Sequence, residues 1–265
     1  MRALTWNLHH GRDFPPDPSL LTWRSRLLRI SERNATHVQV NRDLFDEFAQ
    51  VLSDAEWDLA LLQECPPRWA DRLSAACNAR AHRVLTSRNS LAPLRALLAR
   101  LNPDLIASNE GGSNLTLVRG AEIAERCELV LRPGAPQRRT LAHTRLDAGI
   151  CVANLHASGP DRLAEEEILA AAEQVVEWAG DAPLLFGGDF NVRPANSGLY
   201  DELAGRFDLR APTAPDAIDH LLARGLQIVE PPRAWPPERR EVRDRSGLAI
   251  RLSDHDPVQG TFTAT

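Results

Sequence analysis

Seven short apolar runs set the limits on what this chain can fold into. They are RALTWNL (2–8), DLALLQE (58–64), NLTLVRG (114–120), GICVANLH (149–156), APLLFGGD (182–189), AIDHLLA (217–223) and PVQGTFT (257–263). Each is rich in Leu, Val, Ile or Trp and is punctuated by Gly, Pro, Asn or Asp, which is how a buried strand reads. Helical patterns lie between them. Residues 19–32 place Leu20, Trp23, Leu27 and Ile30 at helical spacing, and residues 42–53 do the same with Leu44, Phe45, Phe48 and Leu52. Further helices are predicted at 66–80, 90–101 and 161–179, the last opening on a cap at Asp161 and closing on Gly180. Strands alternating with helices, with an antiparallel-looking C-terminal end, predict a layered α/β or α+β sandwich. There is no internal repeat, low-complexity tract or Gly/Ser linker, and the Pro-rich stretches 13–18 and 230–240 read as loops. A single domain over residues 1–265 is expected.

Composition narrows the function classes. A chain of 265 residues can bury a substantial core. With 43% hydrophobic and 25% charged residues it has the make-up of an ordinary soluble globular protein. No stretch approaches the ~20 apolar residues of a membrane span. The N-terminus goes straight into a strand pattern without the apolar centre of a signal peptide, so a cytoplasmic location is expected. No obligate protein partner is evident. The cysteines (Cys65, Cys77, Cys127, Cys151) form no C-x-x-C pair and read as small buried thiols. All 31 basic residues are arginine. Codon bias accounts for that simply, although arginine's planar fork also suits phosphate recognition. The formal net charge of −5 argues against sequence-independent binding along a nucleic-acid backbone, yet leaves room for a locally basic groove.

The runs share a way of meeting their ends. They reach a polar residue at Asn7, Glu64, His156 and Asp189, a further run opens near Asp219, and Asp254 and His255 precede the last. Polar side chains gathered at one edge of an α/β sheet are where sites assemble. Gly, Asp and Asn in GGDFN could form nothing more than a solvated turn, but six such endings make a constellation. Its residue types suit one chemistry. Hard oxygen ligands (Asn7, Glu64, Asp254) fit Mg²⁺, which keeps waters for a substrate phosphate. Asp189 can activate or align a water that Asn191 orients. His156 and His255 can donate to phosphoryl oxygens, and Asp219 can fix a histidine's tautomer and keep it cationic.

The motifs WNLHHG, LLQE, NLHAS, GGDFNVRP, IDHLL and SDHDPV, in that order, resemble those of the endonuclease/exonuclease/phosphatase superfamily. The resemblance implies a deoxyribonuclease I-like four-layer sandwich, two packed mixed β-sheets flanked by helices, with the site at one end. It implies Glu64 as the direct metal ligand helped by Asn7 and Asp254, Asp189 and Asn191 at the nucleophile, His156 on the phosphate, and His255 paired with Asp219. The cofactor expected is Mg²⁺, for which Mn²⁺ can substitute. Segments 13–56 and 87–113 look like insertions that define the substrate. Many nucleases of the group place a tyrosine or arginine near the phosphate in mid-chain, whereas the single tyrosine here, Tyr200, reads as packing. His9 and His10 read as supporting residues, Asp256 as part of an extended turn before Pro257, and Arg138-Arg139 and Arg239-Arg240 as solvated faces. Asn114 is a candidate phosphate contact. The leading expectation is a nuclease cleaving phosphodiesters. The alternatives are a hydrolase of a small phosphorylated metabolite, nucleotide or lipid, and an inactive binding module on the same fold.

Overall fold

The first strand explains the layering. In a computed structural model, which describes residues 1–86, 92–133, 138–159 and 162–264, β1 (Arg2–Asn7) turns Leu4 and Trp6 to one side and Ala3 to the other. Next come α1 (Trp23–Leu28), the hairpin β2 (Glu32–Arg33) and β3 (Val38–Gln39), α2 (Phe45–Asp54), β4 (Leu59–Cys65), α3 (Ala70–Ala76) and β5 (Arg80–Leu85). The middle of the chain holds α4 (Ala92–Leu101), α5 (Pro103–Glu110), β6 (Ser113–Val118), β7 (Ile123–Arg132), β8 (Arg139–Leu146), β9 (Cys151–His156) and α6 (Arg162–Ala179). The remainder is β10 (Leu184–Asp189), α7 (Leu199–Phe207), β11 (Asp219–Arg224), β12 (Leu226–Ala234), β13 (Glu241–Arg243), β14 (Ala249–Arg251) and β15 (Val258–Ala264).

Two main sheets result, ordered β12-β15-β1-β4-β6-β5 and β11-β10-β9-β8-β7. Leu4, Trp6 and Leu62 pack outward with Phe48, Trp69 and Leu73 of the α2–α3 side. Leu155 and Phe186 pack outward with Ile168, Val175 and Leu203 of α6 and α7. Between the sheets, Ala3, Leu61, Val152, Leu185, Leu221 and Phe262 form a third cluster. The predicted four-layer sandwich is therefore the fold. Each sheet holds one parallel pair, β1 with β4 and β9 with β10. These two pairs carry the polar strand ends to one edge.

Several expectations shift locally. Within 19–32 only Trp23–Leu28 is α-helical, because Thr22 caps it (Ser25 N donates to Thr22 Oγ1 at 3.0 Å) and Arg29 ends it in the left-handed region. Residues 90 and 91 of the predicted 90–101 helix, the Asp161 cap and the start of the 87–113 segment lie outside the described residues. The 13–56 segment is not all peripheral, because α2 buries Phe45, Phe48 and Leu52 against the sheet. Cys65, Cys77 and Cys151 are buried as expected, whereas Cys127 is half-exposed, its thiol donating to Glu125. β10 can lie against β9 only because residue 188 is glycine: its φ is +139°, and a Cβ there would sit 1.8 Å from the Leu155 carbonyl oxygen.

Candidate active site

Register does most of the assembly. Asp189 lies opposite His156 on one side and Asp219 on the other, so the ends of β9 and β10 and the start of β11 present three functional groups in one row. From the facing sheet, Asn7 donates through Nδ2 to Asp189 Oδ2 at 2.9 Å, joining the two sheets at their edge. Strict alternation on β4 would give Glu64 the face opposite to Gln63. A register shift between Leu62 and Cys65, with Glu64 at φ +48°, re-aims its carboxylate into the same space. Asn191 (φ +55°) and Ser253 (φ +60°) are also left-handed, so unusual backbone concentrates at this edge. Ser253 donates to the Asn7 carbonyl at 2.6 Å and accepts from His255 N at 3.1 Å, which ties the loop bearing Asp254 and His255 to β1.

The cavity so formed, about 340 Å³ in volume, is lined by Asn7, Glu64, His156, Asp189, Asn191, Asp254 and His255, together with His9, His10, Arg12, Arg139 and Gly159. His255 Nδ1 meets Asp219 Oδ2 at 2.7 Å, and its Nε2 lies 3.8 Å from Asp189 Oδ2 and 3.9 Å from Asp254 Oδ1. Burial opposes charge on this imidazole, but Asp219, Asp189 and Asp254 outweigh it and raise its pKa to about 10, so it is a cation at neutral pH. His156 is the reverse case. Burial, aided by Arg139, drives its pKa down to about 3 and leaves it neutral, with Nε2 3.5 Å from Asp189 Oδ2 and 4.0 Å from Glu64 Oε1. Burial, then the charge of Asp219, pushes the Asp189 carboxyl well above the usual range, and Asp219 is itself raised by burial.

The two outer carboxyls remain ionised. Burial works against charge on Asp254, but the hydrogen bond from His9 Nδ1, at 2.9 Å, and the charge on His255 hold it low. Burial also opposes charge on Glu64. Its depression would require charge on His10 (Nε2 at 3.3 Å) and His156, yet burial holds both of those imidazoles below their ordinary values. Both rings are neutral, because a cation loses more on burial than a nearby carboxylate returns. Glu64 is thus left without a full counter-charge. A small hard cation fits this set, since Glu64, Asp254 and Asn7 border the cavity with oxygen donors and the rings nearest Glu64 are neutral. Asp189, Asp219 and His255 also bring ligand atoms within 4.8 Å of one another. They are the poorer metal site, because His255 is held as an imidazolium with Nδ1 committed to Asp219.

Sequence reasoning placed eight of its nine site residues at this edge. Asn114 is the exception: it is fully buried between the sheets, with Nδ2 donating to the carbonyls of Thr140 at 3.0 Å and Asn154 at 3.4 Å, and it does not reach the cavity. Arg139, read as a solvated face, is 6% exposed and lines the cavity, its Nε bonded to Ser158 Oγ at 3.1 Å. Arg240 is buried as well and holds the Asp254 loop through the carbonyls of Leu252 and Ser253 and the Asp256 carboxylate. Asp256 is therefore more than a turn residue. His9 and His10 touch Asp254 and Glu64 directly. No local signal separates Arg139 from a surface arginine, because its burial depends on Ser158 and Glu167 from distant parts of the chain. Tyr200 packs as expected, its hydroxyl donating to the Val192 carbonyl at 2.7 Å and thereby bracing the loop after Asp189.

Residues 4–255 match the model of the Endonuclease/Exonuclease/phosphatase family. The chain belongs to that family, whose members are phosphoester hydrolases. No curated relative matches it in sequence. Among solved structures it is similar to a mannosyl-6-phosphatase of Bacteroides thetaiotaomicron, with 15% identity and a TM-score of 0.65 over 99% of both chains. It is also similar to an endonuclease/exonuclease/phosphatase family protein from the same organism, with 15% identity and a TM-score of 0.64 over 100% of this chain and 98% of that one. A humanized TDP2 of D. rerio matches with 13% identity and a TM-score of 0.61 over 100% and 99% of the two chains. At these identities the likeness is one of fold.

Proposed function

We propose that the protein is a Mg²⁺-dependent phosphodiesterase, with nucleic acid as the substrate class and Mn²⁺ as an alternative metal. The observation that carries the reading is one open cavity bordered by a buried carboxylate with raised pKa (Asp189), a neutral histidine (His156), a cationic histidine (His255) and two oxygen-bearing acids (Glu64, Asp254). A metal held by Glu64, Asp254 and Asn7 would supply Lewis-acid charge stabilisation at a phosphoryl oxygen. Asp189 accepts the proton of the attacking water, and its raised pKa brings it toward the neutral range in which a general base works best. Asn191, whose backbone N–H donates to Asp189 Oδ1 at 3.1 Å, fixes that carboxylate and orients the water. His156 and His255 donate to phosphoryl oxygens from the two sides of Asp189, while Asp219 keeps His255 charged and its Nδ1 occupied. Arg139 adds a guanidinium fork suited to the same oxygens. The bond from the water oxygen to phosphorus forms in line as the ester P–O bond breaks, and the departing oxygen takes its proton from the cationic His255.

A neighbouring cavity shares Asp254 and His255 with this one and carries Arg193 and Arg233 on its walls. Those two guanidinium groups can meet a second phosphate beyond the scissile one, as nucleic acid has, although Asp216, Asp219 and Asp256 stand on the same walls. The deciding assay is a panel of supercoiled plasmid, RNA, bis-p-nitrophenyl phosphate and phosphomonoesters, each with Mg²⁺, Mn²⁺ or EDTA. Metal-dependent nicking is the expected result. Hydrolysis that survives exhaustive chelation overturns the mechanism. Phosphomonoester hydrolysis without nicking shifts the substrate to a small phosphorylated molecule.

A further inference from the structure

Eleven of the twelve large apolar side chains exposed among the described residues belong to two segments, 14–30 and 94–105. The two helices there are inside out. In α1 the one buried residue is Ser25, while Trp23, Leu27 and Leu28 are 66%, 55% and 57% exposed. In α4, Leu94, Leu97, Leu98 and Leu101 repeat at helical spacing and all face water, while the small Ala99 is buried. Surface helices of soluble proteins normally place their apolar stripe inward, and contiguous exposed apolar surface marks an interaction site. The turn that follows α4 is tied to α1. Asn41, itself buried, donates to Asn102 Oδ1 at 2.8 Å, and Asn102 Nδ2 donates to the Arg26 carbonyl of α1 at 2.9 Å.

Charge identifies what covers this face. Residues 12–34 and 92–106 carry seven arginines against four acids, a formal +3 in a chain whose total is −5. Arg24, Arg26 and Arg29 are interleaved with the exposed Trp and Leu of α1, and Arg100 with the leucines of α4. A second copy of the same chain would set these cations against each other. Leucine and tryptophan flanked by arginine instead match the interface of an anionic bilayer, where apolar groups enter the acyl boundary and guanidinium groups meet lipid phosphates. This face also adjoins the catalytic cavity, because the Phe14 ring meets the His9 ring edge-on with centroids 6.0 Å apart and Arg12 lines the cavity wall.

We propose that α1 and α4 form a docking surface for anionic phospholipid membrane, which the protein binds peripherally beside its active site. The inference is independent of the substrate assigned above, since binding can be read without turnover. The test is co-sedimentation of the full chain with vesicles of phosphatidylcholine alone and of phosphatidylcholine with phosphatidylglycerol. Three proteins are compared: wild type, Trp23→Ser, and the double variant Leu97→Glu/Leu98→Glu. All three substitutions fall on exposed positions, and melting temperatures check that the variants fold. Wild type should partition at least tenfold more strongly onto the anionic vesicles, and the double variant should lose at least tenfold of that binding. No preference for anionic vesicles, or equal binding by wild type and folded variants, overturns the proposal. Light scattering that gives a wild-type dimer and monomeric variants also overturns it, in favour of self-association.

Discussion

Replacing Asp189 by Asn separates a catalytic carboxylate from a turn residue more sharply than any other change. In the folded protein both carboxylate oxygens accept hydrogen bonds, Oδ2 from Asn7 Nδ2 at 2.9 Å and Oδ1 from Asn191 N at 3.1 Å. An asparagine has one acceptor for these two donors, so in either orientation its NH₂ faces an N–H. Leaving one buried donor unpaired costs about 1–3 kcal/mol. Against that stands the removal of a negative charge lying opposite Asp219, a relief of comparable size and opposite sign. Stability should therefore change little, with a melting shift within about 3 °C. Activity should not survive. A general-base step contributes ~10²- to 10⁴-fold, equivalent to roughly 3–5 kcal/mol of barrier. The assay is turnover of bis-p-nitrophenyl phosphate at saturating Mg²⁺, measured on the same preparation as the melt. Asx turns accept Asp and Asn alike, so a folded variant keeping more than about half of its activity would refute the base assignment.

Three further outcomes follow from the geometry. Gly188→Ala forces a methyl onto the Leu155 carbonyl, 1.8 Å from the ideal Cβ, and should cost about 3 kcal/mol or more, a melting drop of roughly 6–12 °C. Gly198→Ala, with nothing within 4 Å of its Cβ, should be silent, and equal melting of the two variants would refute the close-approach argument. Glu64→Gln should raise the Mg²⁺ concentration needed for half-maximal activity, because a neutral amide is a poorer ligand for a hard cation; an unchanged metal titration removes Glu64 as a ligand. His82, His143 and His220 are each held down to about 4 by burial, below the 6.5 of an exposed imidazole. The unfolded chain takes up protons on these rings first, so the stability they contribute is intact above pH 6.5 and is lost as pH drops toward 4; NMR titrations that place these rings near 6.5 in the folded protein contradict their burial as neutral rings.

Much of the site was legible because strand ends are legible. Asn7, Glu64, His156 and Asp189 stop apolar runs, and a run that stops on a carboxylate, amide or imidazole announces an edge. What remained hidden depends on distant parts of the chain. Arg139 reaches the cavity through Ser158 and Glu167. Arg240 holds the Asp254 loop from a Pro-rich stretch that reads as plain surface. Asn114 opens the NLTLVRG run, where a polar residue reads as a strand end open to substrate, whereas its register opposite Val84 puts it inside the sheet. The strands β7 and β8 escaped notice because Glu125, Arg126, Glu128, Arg139, His143 and Arg145 interrupt their apolar pattern.

The helix predicted over 19–32 shows where periodicity stops being informative. Leu20, Trp23, Leu27 and Ile30 are correctly spaced for one face, and the natural inference is that this face lies on the core. Only Leu20 is buried. Periodic spacing records that one side of a segment is apolar; it carries no information about what lies against that side. For α2 the answer is the sheet, because its apolar face is continued by Trp6 and Trp69 in the same cluster. For α1 and α4 the described residues supply no such continuation, and arginines stand among the leucines where a core-facing stripe would exclude them. An amphipathic pattern interleaved with arginine and backed by small or polar residues (Ser25, Ala99) is therefore the signature that distinguishes a face turned outward from one turned in, and both halves of that signature are written in the order of the amino acids.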